Sequence, residues 1–237
     1  MTSEEKRMSM LGHLDELRSR LVKGSVALLI GAIVAWTWRN QLLDLLRDPF
    51  LEAFPAETLQ TITPTEQFGS AMRLAGFGGF LLASPVVMWQ VWGFVSPGLT
   101  SKERRWAVPI VSALVTLFLA GVGFAYLILP RSLLFLNGVL NTDLSLTVSE
   151  YLSFVVRFLL VFGLAFEYPV FLFAAGAVGL VTSAQLSHVR RWAVLAISVV
   201  AAGATPTGDP FTMLLLAVPL YLMYEITLLL IKHILRK

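Results

Sequence analysis

One acidic side chain lies inside an apolar stretch, where a charge is costly. Glu167 is surrounded by VFGLAFEYPVFLF, residues 161–173, and the nearest basic residue along the chain is Arg157. A charged group in mid-membrane costs about 2.5–3.5 kcal/mol on insertion scales, unless it protonates or meets a polar partner. The sequence leaves three roles open for Glu167: a structural hydrogen bond inside a bundle, a step in a proton relay, or docking of a polar group from another membrane helix.

Two further carboxylates lie among basic residues beside apolar stretches. Glu16 belongs to HLDELRSRL and Glu103 to SPGLTSKERRW. Each has a local explanation: Glu16 can pair with Arg20 four residues later, worth about 0.3–0.5 kcal/mol in a helix, and Glu103 can complete a capping box with Thr100. If the fold brings the two carboxylates together, they instead form an acidic spot suited to guanidinium groups, because Arg binds carboxylate through two hydrogen bonds and Lys does not.

The remaining polar motifs favour structural roles. Asp209, in TPTGDPF, has the position of a helix N-cap with Pro210 as the first helical residue. The sequence contains no Walker loop, no Gly-x-Ser-x-Gly and no cysteine, and its three histidines are scattered. We therefore predict no catalytic centre, no metal site and no cofactor. The net charge of +3 is attributed to loops that orient a membrane protein, so no nucleic-acid partner is expected.

Composition places these residues in an all-α, polytopic membrane protein. The chain has 237 residues, of which 57% are hydrophobic and 14% charged, whereas soluble domains carry about 25% charged residues. Several apolar runs reach the roughly 20 residues that cross a bilayer as a helix. We predict one integral membrane domain, residues 1–237, with an amphipathic N-terminal helix over about 9–20. Six spans are predicted over about 21–38, 70–94, 106–129, 151–178, 192–205 and 210–231.

Helix signals refine these spans. Thr63-Pro64-Thr65-Glu66 and Thr147-Val148-Ser149-Glu150 predict capping boxes before the second and fourth spans. The fifth and sixth spans are expected to be short, and the fifth run has only 14 residues. That length gives about 21 Å of helix against a hydrocarbon thickness of about 30 Å, so we expect a locally thin bilayer there.

The distribution of basic residues predicts the orientation. Thirteen of the eighteen Lys and Arg lie in the segments on the side that holds both termini, and four lie on the opposite side. Because cytoplasmic loops carry an excess of Lys and Arg, we expect both termini in the cytoplasm and a multi-pass protein of a bacterial or archaeal plasma membrane.

Four motifs in order resemble the TatC family, the multispanning core subunit of the twin-arginine protein translocase. They are HLDELRSRL, ASPVVMWQVWGFVSPGLTSKERR, YLSFVVRFLLVFGLAFEYPVFLF and ATPTGDPF, and the resemblance covers almost the whole chain. It implies a glove-shaped six-helix protein that binds twin-arginine signal peptides of folded precursors at its cytoplasmic face. It also implies single-span partners of the TatA/TatB type, other copies of TatC, membrane lipid, and export driven by the proton motive force.

The resemblance assigns roles to individual residues. Signal-peptide binding would involve Glu16, Glu103, Arg18, Phe94 and Arg105. Glu167 would face the hollow of the glove and meet a polar residue near the start of a single-span partner. Further sensitive positions would be Pro49, Tyr126 and Asp209. The chain departs from the family pattern twice, because TPTGD is one residue longer than TP-x-D and Met213 stands where a polar residue is common.

A proton-coupled secondary transporter is the alternative function, with Glu167 as the proton carrier. It would need a second buried ionisable group, for which Arg157 and Glu225 are the candidates. Inverted-repeat transporters show paired broken helices in their two halves, and this sequence shows no internal repeat. A membrane-embedded enzyme is less favoured still, because the sequence offers no nucleophile–base pair.

Overall fold

The computed structural model is helical in nearly all of the chain that it describes, namely residues 10–95, 107–138, 146–177, 179–205 and 209–235. The helices are α1 (Met10–Thr37), α2 (Arg39–Ala53), α3 (Pro64–Val95), α4 (Ala107–Gly138), α5 (Val148–Ala165), α6 (Tyr168–Ala177), α7 (Ser183–His188), α8 (Arg190–Ala204) and α9 (Pro210–Leu230), which ends in a π-helical turn, Ile231–Leu235. These ranges contain no β-sheet, only an isolated bridge. The predicted all-α class is confirmed.

Five helical stretches within the described ranges are long and apolar enough to cross a membrane. They are Gly12–Thr37, Pro64–Phe94, Val108–Gly138, Val148–Ala177 and Pro210–Leu235. Helix α8 corresponds to the predicted fifth span and is shorter than these five. Its 15 residues give about 22 Å, less than the hydrocarbon thickness. Thinning of the bilayer at α8 stays a prediction.

The last apolar helix keeps close to the predicted bounds, about 210–231, but it is not short. Helix α9 has 21 residues, about 31 Å, and the apolar residues of the π-helical turn extend it to Leu235. The expectation of a short sixth span is therefore replaced by a full-length helix. At the other end of the chain, the predicted N-terminal helix and the first span form one helix, α1, because no proline interrupts them.

Glycines set the closest helix contacts. A Cβ on Gly31 of α1 would lie 2.5 Å from the carbonyl oxygen of Gly79 on α3. A Cβ on Gly121 of α4 would lie 2.6 Å from the carbonyl oxygen of Phe162 on α5, and one on Gly163 would overlap the ring of a residue on α4. Such small residues let helix backbones touch, which is the usual basis of helix packing in a membrane.

The main buried cluster joins α2, α3, α4, α5, α8 and α9. Its largest members include Phe50 on α2 and Tyr151, Phe158 and Phe162 on α5. Phe158 and Phe162 pack with ring centroids 4.6 Å apart, and Phe50 meets Tyr151 edge-on at 5.3 Å. The cluster surrounds α5 and includes Phe166, the residue that follows this helix. The chain directly before Glu167 is therefore fixed by packing.

The starts of α3 and α5 are tied together by one carboxylate. Glu66 Oε1 accepts a hydrogen bond from the Ser149 amide at 3.0 Å, and Oε2 accepts one from the Ile62 amide at 3.0 Å. Gln60 adds two backbone hydrogen bonds to the segment before α5. We call Gln60, Glu66 and Ser149 the outer clasp. Here 'outer' means only that the clasp lies at the end of α3 farthest from the start of α1.

One of the two predicted capping boxes is confirmed and the other is replaced by the clasp. Thr147 and Glu150 form the expected reciprocal pair at the start of α5. Glu66 was expected to cap Thr63, but its oxygens reach the amides of Ile62 and Ser149 instead. The pattern does mark the start of a helix, since α3 begins at Pro64, but the start of α5 competes for the same carboxylate.

Candidate functional site

The start of α1 lies beside the end of α3. The ring of His13 stacks on Phe94, with centroids 4.3 Å apart and planes 18° from parallel. Glu16 lies three residues after His13 and therefore on the same side of α1. Two of the predicted site residues, Glu16 and Phe94, thus lie at the same end of the bundle.

One of the two carboxylate oxygens of Glu16 binds a guanidinium of the same helix. Arg20 Nε donates to Glu16 Oε1 at 2.9 Å and Nη2 reaches the same oxygen at 2.5 Å, which confirms the predicted i,i+4 ion pair. The other oxygen, Oε2, is buried and has no hydrogen-bond partner among the described residues. A carboxylate can accept about four hydrogen bonds, so Glu16 retains capacity for a second donor.

The Arg20 guanidinium is held against the backbone of α3. A Cβ on Gly93 would overlap this guanidinium, so a side chain at that position would push Arg20 away from its present place. Gly93 directly precedes Phe94 in α3. The ion pair and the His13–Phe94 stack therefore occupy adjacent parts of one helix–helix contact.

The other predicted site residues differ in placement. Arg18 is exposed and lies two residues from Glu16, on another side of α1. Glu103 and Arg105 lie outside the described residues. Their segment connects the end of α3, next to Glu16, with the start of α4, and a meeting of Glu103 with Glu16 stays a prediction.

Glu167 lies at the break between α5 and α6 and is buried, with 4% of its surface exposed. Neither carboxylate oxygen has a hydrogen-bond partner in the described chain; the backbone of Phe118 approaches the group without meeting hydrogen-bond geometry. It is the one Asp, Glu, Lys or Arg in the buried class of the described residues. A buried carboxyl without a partner costs several kcal/mol if charged, so it must be neutral or receive a donor.

Close packing fixes the position of this carboxyl. A Cβ on Gly121 would lie 2.9 Å from the Cβ of Phe166, the residue before Glu167. The next residue, Tyr168, donates its hydroxyl to the Leu220 carbonyl oxygen on α9. Glu167 is therefore held between a tight α4–α5 contact and a hydrogen bond to α9.

The candidate partners for a proton relay are elsewhere. Arg157 is exposed, and Glu225 pairs with Arg190 at 2.9 Å while accepting a hydrogen bond from Tyr221 at 2.9 Å. Neither supplies a second buried ionisable group beside Glu167. The geometry of the described residues therefore does not favour a secondary transporter.

Pro49 and Tyr126 belong to one polar arrangement. Proline has no amide hydrogen, so Pro49 leaves the carbonyl oxygen of Leu45, four residues earlier, without its helical donor. The Tyr126 hydroxyl donates to that oxygen at 2.9 Å. Tyr151 donates to the adjacent carbonyl oxygen of Leu46 at 2.6 Å, in a buried bond. Sequence reasoning missed Tyr151, because the proline frees only the Leu45 carbonyl and nothing in the sequence marks the Leu46 carbonyl as an acceptor.

Asp209 is the N-cap of α9. Its Oδ1 accepts a hydrogen bond from the Thr212 amide at 2.7 Å, and Pro210 is the first helical residue. The predicted cap is confirmed, despite the longer TPTGD motif. Met213, on the first turn of α9, packs against the main buried cluster.

These features define a class of protein. It is a polytopic helical membrane protein whose described residues include one buried carboxyl without a hydrogen-bond partner and a second, half-paired carboxylate at one end of the bundle. Within the described ranges, no group of three or more His, Asp or Glu could hold a metal ion.

Comparisons with known proteins agree on a family. The family model described as Sec-independent protein translocase protein (TatC) matches residues 12–219. The TatC of Aquifex aeolicus is 37% identical over 235 residues, covering 97% of each chain. The TatC of Deinococcus radiodurans is 38% identical over 221 residues, covering 90% of this chain and 82% of its own. A crystal structure of the twin-arginine translocase receptor TatC superposes with a TM-score of 0.80 at 36% identity, covering 92% of this chain and 98% of that chain.

The chain belongs to the TatC family. As a member it is a core subunit of the twin-arginine translocase, a multi-pass protein of a bacterial membrane that works with other Tat components, and it is not an enzyme.

Proposed function

We propose that the Glu16 end of the bundle is the site at which this chain binds the arginine pair of a twin-arginine signal peptide. The observation that carries the proposal is the state of the Glu16 carboxylate. One oxygen already holds the Arg20 guanidinium, and the other is buried and without a partner in the described chain. The site thus accepts one guanidinium and has an acceptor left for another.

Glu103 is proposed as the second carboxylate of this site. It belongs to the segment that follows Phe94 and Val95 in the chain, and Phe94 stacks on His13, three residues before Glu16. Two carboxylates would match two consecutive arginines. Arg18 and Arg105 would form the basic rim, which keeps the acidic spot selective for a correctly spaced pair.

Arginine is the fitting partner because of its shape. A guanidinium presents parallel N–H donors to a carboxylate, whereas an ammonium is a point charge. A hydrogen bond to a charged group contributes about 1.5–3 kcal/mol. Loss of one carboxylate should therefore weaken binding by roughly tenfold to more than a hundredfold.

The test is binding of a synthetic signal peptide to the full-length chain in lipid nanodiscs. Glu16→Gln and Glu103→Gln should each weaken binding of the arginine-pair peptide, and the peptide with two lysines should bind weakly to every variant. Glu57→Gln is the matched control, because Glu57 is exposed at the opposite end of α3. Equal affinity of the double variant and the unchanged chain would overturn the proposal.

Glu167 is proposed as the docking point for a single-span partner of the TatA/TatB type. Its carboxyl is buried, fixed by packing and without a hydrogen-bond partner in the described chain. A polar side chain on a partner helix would supply the missing bond inside the bilayer.

We further propose that both termini are cytoplasmic, from the excess of Lys and Arg on that side. This orientation would place the Glu16 site where precursors arrive. Labelling of single cysteines at the two ends by an impermeant reagent, in intact cells and in inverted vesicles, tests it.

A further inference from the structure

A groove between α1 and α3 continues from the Glu16 end of the bundle. Its volume is about 210 Å³, and its apolar walls include Leu17, Leu21, Leu28, Val87, Val91 and Phe94. Arg20, the ion-pair partner of Glu16, also lines it. The groove therefore begins beside the proposed arginine site and runs along α1 away from it.

The groove lies where α1 and α3 leave space between two contacts, Gly31 against Gly79 and Arg20 against Gly93. At Gly31 the two backbones touch. At Gly24, two turns nearer the Glu16 end, an added Cβ would meet no heavy atom within 4 Å in the described chain. Leu21 is 67% exposed beside this gap. Space that α3 does not fill thus remains over Gly24.

The length of the groove fits a short apolar helix. Leu17 and Leu28, its outermost residues on α1, are eleven positions apart, about 16 Å along the helix. Signal peptides carry a basic segment followed by about 7–15 apolar residues. Such a segment as a helix measures about 10–22 Å.

We propose that this groove binds the apolar segment that follows the arginine pair of the signal peptide. The inference rests on the proposed function, since binding of the arginine pair at Glu16 fixes where the apolar segment starts. Phe94 would contact both parts of the peptide, because it stacks on His13 and also lines the groove. The exposed Leu17 and Leu21 would be buried by the bound segment.

The test fills the groove without disturbing the fold. Gly24→Leu adds a side chain into open space, and Gly123→Leu is the matched control, because a Cβ on that exposed glycine of α4 also meets no described heavy atom within 4 Å. Two labelled peptides are used on the full-length chain in nanodiscs: one with the arginine pair and the apolar segment, and one in which Gly and Ser replace the apolar segment.

Gly24→Leu should lower affinity for the apolar peptide about tenfold, as expected for the loss of one buried leucine-sized contact. Its affinity for the Gly/Ser peptide should not change, and Gly123→Leu should change neither. The chain has no native cysteine, so a second readout is available. With diamide added as the thiol oxidant, a disulfide should form between Ser25→Cys, in the groove wall, and a cysteine in the apolar segment, whereas Gly123→Cys should give none.

Two results would overturn the groove proposal alone. Unchanged affinity and no disulfide would mean that the groove holds a lipid chain or a partner helix instead. Equal weakening of both peptides by Gly24→Leu would mean that the substitution disturbs the arginine site. Glu16→Gln separates this inference from the proposed function, because it should lower the affinity for both peptides. If it lowers neither affinity, the proposal that Glu16 binds the arginine pair is wrong, whatever the groove binds.

Discussion

The hydroxyl of Tyr126 replaces a hydrogen bond that Pro49 removes from α2. Tyr126→Phe deletes only this hydroxyl and leaves the Leu45 carbonyl oxygen without the 2.9 Å bond. The bond is exposed, so the lost stability should be near the lower end of the range for a hydrogen bond, about 0.5–1.5 kcal/mol. Tyr151→Phe removes a buried bond of 2.6 Å and should cost more, about 1–3 kcal/mol.

The decisive measurement is a double-mutant cycle with Pro49→Ala. Alanine restores an amide hydrogen four residues after Leu45, so the Leu45 carbonyl regains a donor within α2. Tyr126→Phe should then cost almost nothing in the Pro49→Ala background, giving a coupling about equal to its cost in the unchanged chain, roughly 0.5 kcal/mol. The free energy of unfolding is measured by denaturant titration of the purified protein in detergent, with Tyr126→Leu as a control for loss of the ring.

The reasoning is refuted if Tyr126→Phe costs the same with and without the proline. That result would mean that the tyrosine stabilises α4 through its ring alone. A Tyr151→Phe variant more stable than Tyr126→Phe would show that burial does not set the order of the two bonds.

Three further predictions concern other parts of the bundle. Glu167→Gln should retain more export activity and more crosslinking to a single-span partner than Glu167→Leu, because the amide keeps a donor; equal activity of the Leu variant would contradict docking. Glu66→Ala should speed hydrogen exchange of the Ser149 amide, which loses its 3.0 Å acceptor, and unchanged exchange would argue against the outer clasp. Gly31→Leu should abolish folding, since its Cβ would lie 2.5 Å from the α3 backbone, whereas Gly76→Leu, in open space, should fold normally. Size-exclusion chromatography and thermal melts of the two purified variants test this difference.

The sequence predicted the hydrogen bonds and the ion pair that join residues close together in the chain. The capping pair of Thr147 and Glu150, the Glu16–Arg20 ion pair and the N-cap at Asp209 all join residues three or four apart. The apolar context of Glu167 likewise foretold its burial. In each case spacing and residue type fix the geometry before any tertiary contact forms.

Contacts between distant segments were not predictable in this way. Tyr151 meets a carbonyl 105 positions away, and Glu66 meets an amide 83 positions away. A backbone acceptor has no residue type of its own, so nothing in the sequence marks it. Glu66 illustrates the limit, because its pattern matched a local cap while packing of α5 placed another amide within reach.

The outer clasp has a mechanical consequence. Since one carboxylate joins the starts of α3 and α5, these two rods are pinned at that end of the molecule. A tilt of α3 about this point would be magnified along its 32 residues, roughly 48 Å, and would displace Phe94 most. The residues around Glu16 would therefore feel any such tilt more strongly than those near Glu66.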